Sequence, residues 1–569
     1  MSHPVRPLTN DDPDSSDWVP DSDRSFWLRS ACWSLFALVL TLGFVTPAYE
    51  LDDDIRMMMI ASGDEAGGVP DHRLVFTSSL IGGPLSAAYL VAPEIPWYGL
   101  YLFTAQFAAW TCLMRILLAG RNHGLALGWF ALLFLVIGVR LIALVQFTTT
   151  AWLLGLAGVA LGLSPLLTSN RISGARWGGP VLLGCAALIR FDIGVLLLIL
   201  AALPLLSISS ERLADSGRRV VVLGLAVVAA FVIWRGDLAW NYATPEWREF
   251  FRFHGTYSAI YDFQLLESVG NELELAQRVG WSANDLKLLG EWNYLDNTVY
   301  TSDRLVQFRK LIESEGQPQP GWRWRRAMFW RPYLVQLAIP VLTAYLLVLL
   351  RPVGGRVGKL WLVAGGASMT VGTLLLFGAG RLPPHVALPT ALTPVLLACL
   401  LETGRAVPSR VSVRRSLPVI GIVVLAIWSL SPALARGRDL AVRQGQFLQL
   451  VAELPEGETA VLDTVLDDRV CALPFSPFPR SQAEKLFVWG WHIRTPTYIE
   501  RATRAGVALE HPGMVDRPVR FVLRTAILGA IQLSLLEHHG MVTGVVYVGH
   551  FGQIPAYRLE RVAIPDRPE

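Results

Sequence analysis

Long apolar runs constrain this chain more than any other feature. Runs suitable for membrane-spanning helices lie at about 26–48, 97–119, 124–145, 150–168, 178–208, 219–235, 333–350, 360–379, 386–402 and 416–434. Several exceed 18 residues, the length that indicates a bilayer-spanning helix. Only 17% of the 569 residues are charged, whereas globular proteins have about 25%. The sequence therefore predicts an α-helical polytopic membrane protein.

The run 178–208 is too long for one span. At a rise of about 1.5 Å per residue it would extend roughly 46 Å, well beyond a hydrocarbon core of about 30 Å. Arg190 and Asp192 interrupt it, in the sequence IRFD. We therefore expect two short helices with a bend at this point, and about 11 spans in total.

The distribution of basic residues predicts the orientation. Basic residues concentrate in alternate short loops, near residues 121, 171–176, 212–219, 351–359 and 405–415. Such loops face the cytoplasm. Eleven spans place all of these loops inside, with the N-terminus inside and the C-terminus outside. The polar residues 1–25 then form a disordered cytoplasmic tail, and segments 49–96, 236–332 and 435–569 face outward.

The segment 73–92 offers an alternative to this topology. It is apolar enough to be another span, which would invert every later loop and place the arginines outside. We prefer one or two helices that lie in the membrane surface. Because Gly82, Gly83 and Pro84 are adjacent, we expect a break and two short pieces.

Two outward segments have patterns of folded structure. In 236–332, Ser282 and Asp285 have the spacing of a capping box, and Thr301 or Ser302 begins a second helix that ends near Glu315. The tail has a helical stretch at 436–453, strand-like runs at 459–465, 485–491, 519–524, 542–548 and 555–562, and a helix at 525–538. We interpret 26–434 as the membrane domain and 435–569 as a small extracytoplasmic α/β domain.

Composition and motifs exclude several functions. The net charge of +3 is small for this length and argues against nucleic acid as a partner. The five cysteines form neither a disulfide framework nor a CxxC pattern. No nucleotide-binding or hydrolase motif stands in a suitable context.

The acidic triplet Asp52, Asp53 and Asp54 directly follows the first apolar run. Adjacent carboxylates at a membrane boundary repel one another and are costly to desolvate. They suit a general base, or ligands for a divalent cation such as Mg²⁺ or Mn²⁺. The alternative is a solvated linker whose aspartates cap the next helix.

Further candidate binding residues are two arginines, two histidines and one aspartate. Arg190 could bind a phosphate through its guanidinium fork, with Asp192 nearby, or both could form structural ion pairs. Arg381 and His385 lie in a short Pro-rich loop, where they could contact phosphate or sugar or simply line a rigid turn. His72 follows the acidic segment and is either a surface residue or a further ligand.

These residues resemble those of a known superfamily. Four stretches carry the resemblance: YELDDDIRMMMIASG at 49–63, PWYGLYLF at 96–103, LIRFD at 188–192 and GWSANDLKLLGEWNYLD at 280–296. They resemble a bacterial family of multi-pass proteins associated with surface polysaccharides. The acidic residues after the first span, followed by many spans and an outer tail, resemble GT-C glycosyltransferases. That resemblance implies a GT-C-like fold, with Asp53 or Asp54 as base or metal ligand.

The resemblance also implies partners and a location. The donor would be a polyprenyl-phosphate-linked sugar, the acceptor an envelope glycan or a lipid-linked glycan, and the site the outer face of the bacterial cytoplasmic membrane, among membrane lipids. Two alternatives remain at this point. Charges inside spans also suit a glycan transporter, and the tail would suit a non-catalytic scaffold for envelope assembly.

Overall fold

The computed structural model describes most of the chain before residue 319 and much of it after residue 412. The described residues are 21–64, 69–120, 123–164, 172, 174–202, 210–262, 265–294, 296–318, 385–386, 392–393, 396–397, 400, 413–452, 454–455, 458–462, 473–476, 485–505, 515, 519–551 and 554–562. Arg381, the predicted spans 333–350 and 360–379 and most of 386–402 lie outside these residues.

The chain is mostly helical. The helices of its first half are α1 (Asp21–Phe44), α2 (Asp52–Ser62), α3 (Ser79–Val91), α4 (Trp97–Gly120), α5 (His123–Leu133), α6 (Val139–Ala143), α7 (Phe147–Leu163), α8 (Ala175–Ile189), α9 (Phe191–Ala202) and α10 (Ser210–Trp240). Those that follow are α11 (Pro245–Tyr261), α12 (Glu272–Arg278), α13 (Ala283–Gly290), α14 (Ser302–Glu315), α15 (Val413–Ala452), α16 (Pro496–Arg504) and α17 (Thr525–His539). A π-helical turn, Phe134–Gly138, joins α5 to α6.

Among the described residues, four helical segments are long and apolar enough to cross a membrane. They are Asp23–Phe44, Trp97–Ala119, His123–Ala143 and Gly217–Trp240. Shorter apolar helices, including α7 to α9, pack among them. Every residue of α7 is buried, as expected for an apolar helix surrounded by others. The structure thus agrees with a helical membrane protein, while the count of eleven spans remains a prediction.

Helix α1 corrects the predicted start of the ordered chain. Residues 21–25, expected in the disordered tail, form its first turns. Asp23 in this turn pairs with Arg115 of α4, whose side chain is almost fully buried. A buried guanidinium is costly without a counter-charge, which explains why the helix begins before the apolar run.

Helix α3 corrects the expected break at Gly82-Gly83-Pro84. One helix of 13 residues continues through all three. A Cβ on Gly82 would lie 2.0 Å from the His72 carbonyl oxygen, so this glycine permits a close approach of backbone instead of a turn. At about 20 Å, α3 is too short to span a bilayer. It exposes Leu80 and Val91, as a helix at the membrane surface would.

Several predicted elements of the segment 236–318 and of the C-terminal tail are present in the structure. Ser282 and Asp285 form the capping box of α13, and Thr301 caps α14, which ends at Glu315. The tail contains the strands β3 (Thr459–Leu462), β4 (Leu486–Val488), β5 (Val519–Val522), β6 (Thr543–Phe551) and β7 (Ile554–Arg561). Their order in the sheet is β4-β3-β5-β7-β6, parallel over the first three and antiparallel from β5 to β6.

The three parallel strands of the sheet are buried on both faces, whereas β6 has exposed residues. Successive residues of a strand point to opposite faces, and Ala460 and Leu462 of β3 pack into the core of the bundle. Val461 between them belongs to a second core, which also contains Phe253 and Tyr257 of α11. Burial on both sides explains the continuous apolar sequence of the short parallel strands. The sheet therefore shares a core with the helices α11 to α14.

Helix α15 joins the bundle to this sheet. We predicted a span at 416–434 and a separate helix at 436–453, whereas the structure has one helix of 40 residues. A Cβ on Gly437 would lie 2.2 Å from the Thr46 carbonyl oxygen, so α15 passes directly against the chain that leaves α1. Arg436 donates to the Glu50 carbonyl oxygen at 3.3 Å and fixes the same contact.

Candidate functional site

The acidic triplet forms the first turn of a buried helix, α2, instead of a solvated loop. Negative side chains are favourable there because they face the positive end of the helix dipole. Every residue from Asp54 to Ser62 is buried, whereas Asp52 and Asp53 are partly exposed. The structure therefore separates carboxylates that the sequence treats alike.

A short parallel strand pair positions this turn. Strand β1 (Ala48–Tyr49) follows α1, and strand β2 (Leu144–Val145) follows α6; Tyr49 pairs with Val145. The two strands lead directly into α2 and α7, which therefore begin side by side. As a result, the backbone N–H of Phe147 donates to Asp54 Oδ1 at 3.0 Å, and the hydroxyl of Tyr98 donates to the same oxygen at 3.0 Å.

Burial dominates the electrostatics of Asp54. Desolvation raises its pKa well above the usual value, and the nearby charges of Asp53 and Glu50 raise it further, against the two hydrogen bonds. Its second oxygen, Oδ2, has no hydrogen-bond partner among the described residues. Burial also raises the pKa of Glu50, although Arg140 lies 3.6 Å away. A protonated Asp54 is the state that this environment favours.

The break between α8 and α9 occurs at Arg190, as predicted. Arg190 has an extended backbone, so the helix ends at Ile189 and a new one begins at Phe191. Two carbonyl groups at the end of α8 gain partners from the segment that precedes α3. The N–H of Ser78 donates to the Leu188 oxygen at 3.0 Å, and Thr77 Oγ1 donates to the Ile189 oxygen at 3.2 Å. The backbone groups that lose their helical hydrogen bonds at a break need such partners, because an apolar bundle offers no water to replace them.

The Arg190 guanidinium lies on an aromatic platform. It stands 5.6 Å from the ring centre of Phe76 and 5.5 Å from that of Phe147, within cation–π range. Asp192 lies 3.4 Å away and is largely exposed, while Arg190 is about one-third exposed. Phe147 is thus the common neighbour of Arg190 and Asp54, so the structure brings the two predicted clusters together.

The segment 72–79 connects these parts and is strained. Val75 has a φ of 67°, an unfavourable conformation for a β-branched residue. The Tyr242 hydroxyl accepts from its N–H at 3.1 Å. The next residue, Phe76, lies under Arg190 and 4.8 Å from the ring centre of Trp491 in the tail. The strained residue thus directly precedes Phe76, which contacts both the helix break and the tail.

A cavity of about 410 Å³ opens beside the strained segment. It is lined by Val75, Thr77, Ser78, Trp234, Asp237, Leu238, Tyr242, Arg248 and Phe251. Asp237, near the end of α10, is buried and accepts hydrogen bonds from Ser78 Oγ, at 2.6 Å, and from both the N–H and the hydroxyl of Ser79. The carboxylate thus holds the N-terminus of α3 next to a largely apolar cavity.

The predicted site residue His72 lies beside Asn241 and Asp71. His72 is half-exposed; its Nε2 is 3.3 Å from Asn241 Oδ1 and its Nδ1 is 3.6 Å from Asp71. His72 therefore belongs to the surroundings of Asp237, next to the cavity. His385 is partly buried. The structure describes only one residue beside it, Val386, so its relation to the acidic turn stays a prediction.

Arg56, Phe76 and Phe147 also belong to the site, but the sequence analysis did not identify them. Arg56 of α2 is fully buried, and its Nη2 lies 3.5 Å from the Trp489 carbonyl oxygen of the tail. The only sequence signal for Arg56 was its position in the acidic stretch 49–63. Phe76 and Phe147 had none, because their role depends on the helix break. The described residues Asp52 to Asp54 do not form a group of three metal-ligating side chains.

Comparison of this chain with protein-family models, with curated proteins and with solved structures found no match.

Proposed function

We propose that this chain is a membrane glycosyltransferase of the GT-C type. It would move a sugar from a polyprenyl-phosphate donor to a cell-envelope glycan or a lipid-linked acceptor, at the outer face of the bacterial cytoplasmic membrane. Asp53 would remove the proton from the acceptor hydroxyl, and Arg190 would stabilise the charge of the departing phosphate.

One observation carries the proposal: Phe147 contacts Asp54 of the acidic turn through its backbone N–H and the Arg190 guanidinium through its ring. A transfer of this kind needs a base for the acceptor and a cation for the leaving group within reach of one substrate. The partly exposed Asp53 and Arg190 offer these two charges. The adjoining cavity, largely apolar, suits part of a lipid-linked substrate.

A transporter of lipid-linked glycans is the second candidate, because Arg190 and Asp192 interrupt an apolar segment. An assay in vesicles that contain the purified protein and a radiolabelled polyprenyl-phosphate sugar distinguishes the two functions. A transferase attaches the label to an added envelope glycan or lipid-linked glycan. Movement of the labelled donor across the bilayer without a new glycosidic product would favour the transporter and reject our proposal.

Replacing Arg190 with lysine is expected to lower kcat/KM for the donor about tenfold or more. Lysine keeps the charge but loses the planar fork that binds phosphate and stacks on Phe76 and Phe147. A tenfold loss corresponds to about 1.4 kcal/mol, close to one charge-assisted hydrogen bond. Initial rates at varied donor concentration measure the effect.

Asp192→Asn is the matched control for this variant. It removes the carboxylate of the ion pair but leaves the guanidinium on its platform. If Arg190→Lys acts through phosphate binding, Asp192→Asn should retain most of the donor affinity. Equal losses in both variants would mean that the ion pair, and not phosphate recognition, is what matters.

The proposed orientation predicts labelling of single cysteines by a membrane-impermeant thiol reagent. Ser476→Cys lies on the outward side and should react in intact cells, whereas Arg176→Cys, on the inward side, should react only after lysis. Both positions are exposed, so burial does not protect either. The five native cysteines must first be removed. Labelling of Arg176→Cys without lysis would show that the protein has the opposite orientation.

A further inference from the structure

A second cluster of polar side chains lies far along the chain from the acidic turn, where the outer helices meet the tail. Asp285 comes from the first turn of α13, and Glu537 and His538 are consecutive residues at the end of α17. A ligand atom from each of the three lies within 4.8 Å of the others. We propose that these three side chains bind a divalent metal ion of the zinc class.

The distances suit a metal ion after small side-chain movements. His538 Nε2 lies 3.0 and 2.9 Å from the two carboxylate oxygens of Asp285. Ligands of a tetrahedral zinc ion are separated by roughly 3.4 Å, since each lies about 2.1 Å from the metal. An ion between His538 and Asp285 therefore requires shifts of only about half an ångström there, and a closer approach of Glu537.

The surrounding hydrogen bonds orient both carboxylates. The backbone N–H of Ser282 donates to Asp285 Oδ2 at 2.8 Å. The hydroxyl of Ser282 donates to Glu537 Oε2 at 2.7 Å, and Asn284 Nδ2 donates to Oε1 at 2.9 Å. Outer contacts that hold the ligands in place are a usual feature of metal sites. Here they come from the N-terminus of α13, the helix that supplies Asp285.

The ligand types select the class of metal. One imidazole and two carboxylates suit zinc and similar transition ions, whereas Mg²⁺ and Ca²⁺ prefer oxygen ligands alone. Asp285 is fully buried, His538 is partly buried and Glu537 is exposed, so a fourth position would face water. The ion would connect α13 of the outer segment to α17 of the tail.

The adjacent residue His539 provides an internal comparison. Its Nε2 lies 2.6 Å from Oδ2 of the buried Asp296, in a second histidine–aspartate pair between the same two segments. Among the described residues this pair belongs to no group of three ligands. Zinc binding should thus depend on His538 and not on His539, although both histidines contact the outer segment.

The experiment uses the full chain, purified in detergent with a tag that contains no histidine. After treatment with a chelator, the protein is given Zn²⁺ alone and desalted. We expect about one retained zinc ion per chain and a rise in Tm that saturates at one equivalent. Magnesium at the same concentration should produce neither effect. A wild-type protein that retains no zinc would overturn the proposal.

Three variants assign the site. His538→Ala and Glu537→Gln should lose the retained zinc and the rise in Tm, while His539→Ala should keep both. Glu537 is exposed, so Glu537→Gln decides the question if His538→Ala does not fold. Zinc retention that is equal in wild type and Glu537→Gln, or that is lost equally in His538→Ala and His539→Ala, would reduce the cluster to a hydrogen-bonded contact between the two segments.

Discussion

Replacing Asp53 with asparagine is expected to lower the rate of sugar transfer by about 10²- to 10⁴-fold, the usual cost of losing a general base. Asparagine has nearly the same shape but cannot accept the acceptor's proton. Asp53 is the stronger candidate because it is partly exposed in the first turn of α2, while Asp54 is fully buried. Initial rates with labelled donor, at saturating acceptor, measure the loss.

Neighbouring aspartates provide the controls for this experiment. Asp52→Asn removes an equal charge from the same turn and should cost much less activity than Asp53→Asn. Asp54→Asn should also retain more activity, because Asp54 is fully buried and one of its oxygens already accepts two hydrogen bonds. Normal yield and Tm must accompany the loss in Asp53→Asn. Near-normal transfer by the Asp53→Asn variant would end the catalytic interpretation of this turn.

Replacing Asp54 with alanine is expected to destabilise the protein by about 2–6 kcal/mol. The change leaves the Tyr98 hydroxyl and the Phe147 N–H without their acceptor, at about 1–3 kcal/mol for each buried donor. Asp54→Asn keeps an acceptor oxygen and should cost far less. Thermal or denaturant unfolding in detergent compares the two variants, and equal stabilities would contradict the hydrogen-bonding role.

Because the pKa of Asp54 is raised, we expect the stability of the folded protein to decrease as the pH rises. Below about pH 4 the carboxyl group is protonated in both the folded and the unfolded state. Above that pH the unfolded state ionises first, so folding loses up to about 1.4 kcal/mol per pH unit until the folded state ionises too. Asp54→Asn removes this loss. Its Tm relative to wild type should therefore increase from pH 4 upward, and a constant difference would argue against a raised pKa.

Local patterns in the sequence determined most of the elements. The break at Arg190 followed from two charges in an overlong apolar run, and the capping box at Ser282 followed from residue spacing. The strands and the helix of the tail lie close to their predicted positions. These features depend on neighbours in the chain, because helix and strand periods and cap chemistry act over a few residues.

Tertiary packing decided what the local patterns left open. Asp53 and Asp54 are adjacent and chemically identical, and only the contact of Asp54 with α4 and α7 distinguishes them. The helix break was visible in the sequence, whereas the platform formed by Phe76 and Phe147 was not. Burial and partners come from residues distant in the chain, so a carboxylate's protonation and a guanidinium's contacts become defined only when the segments pack together.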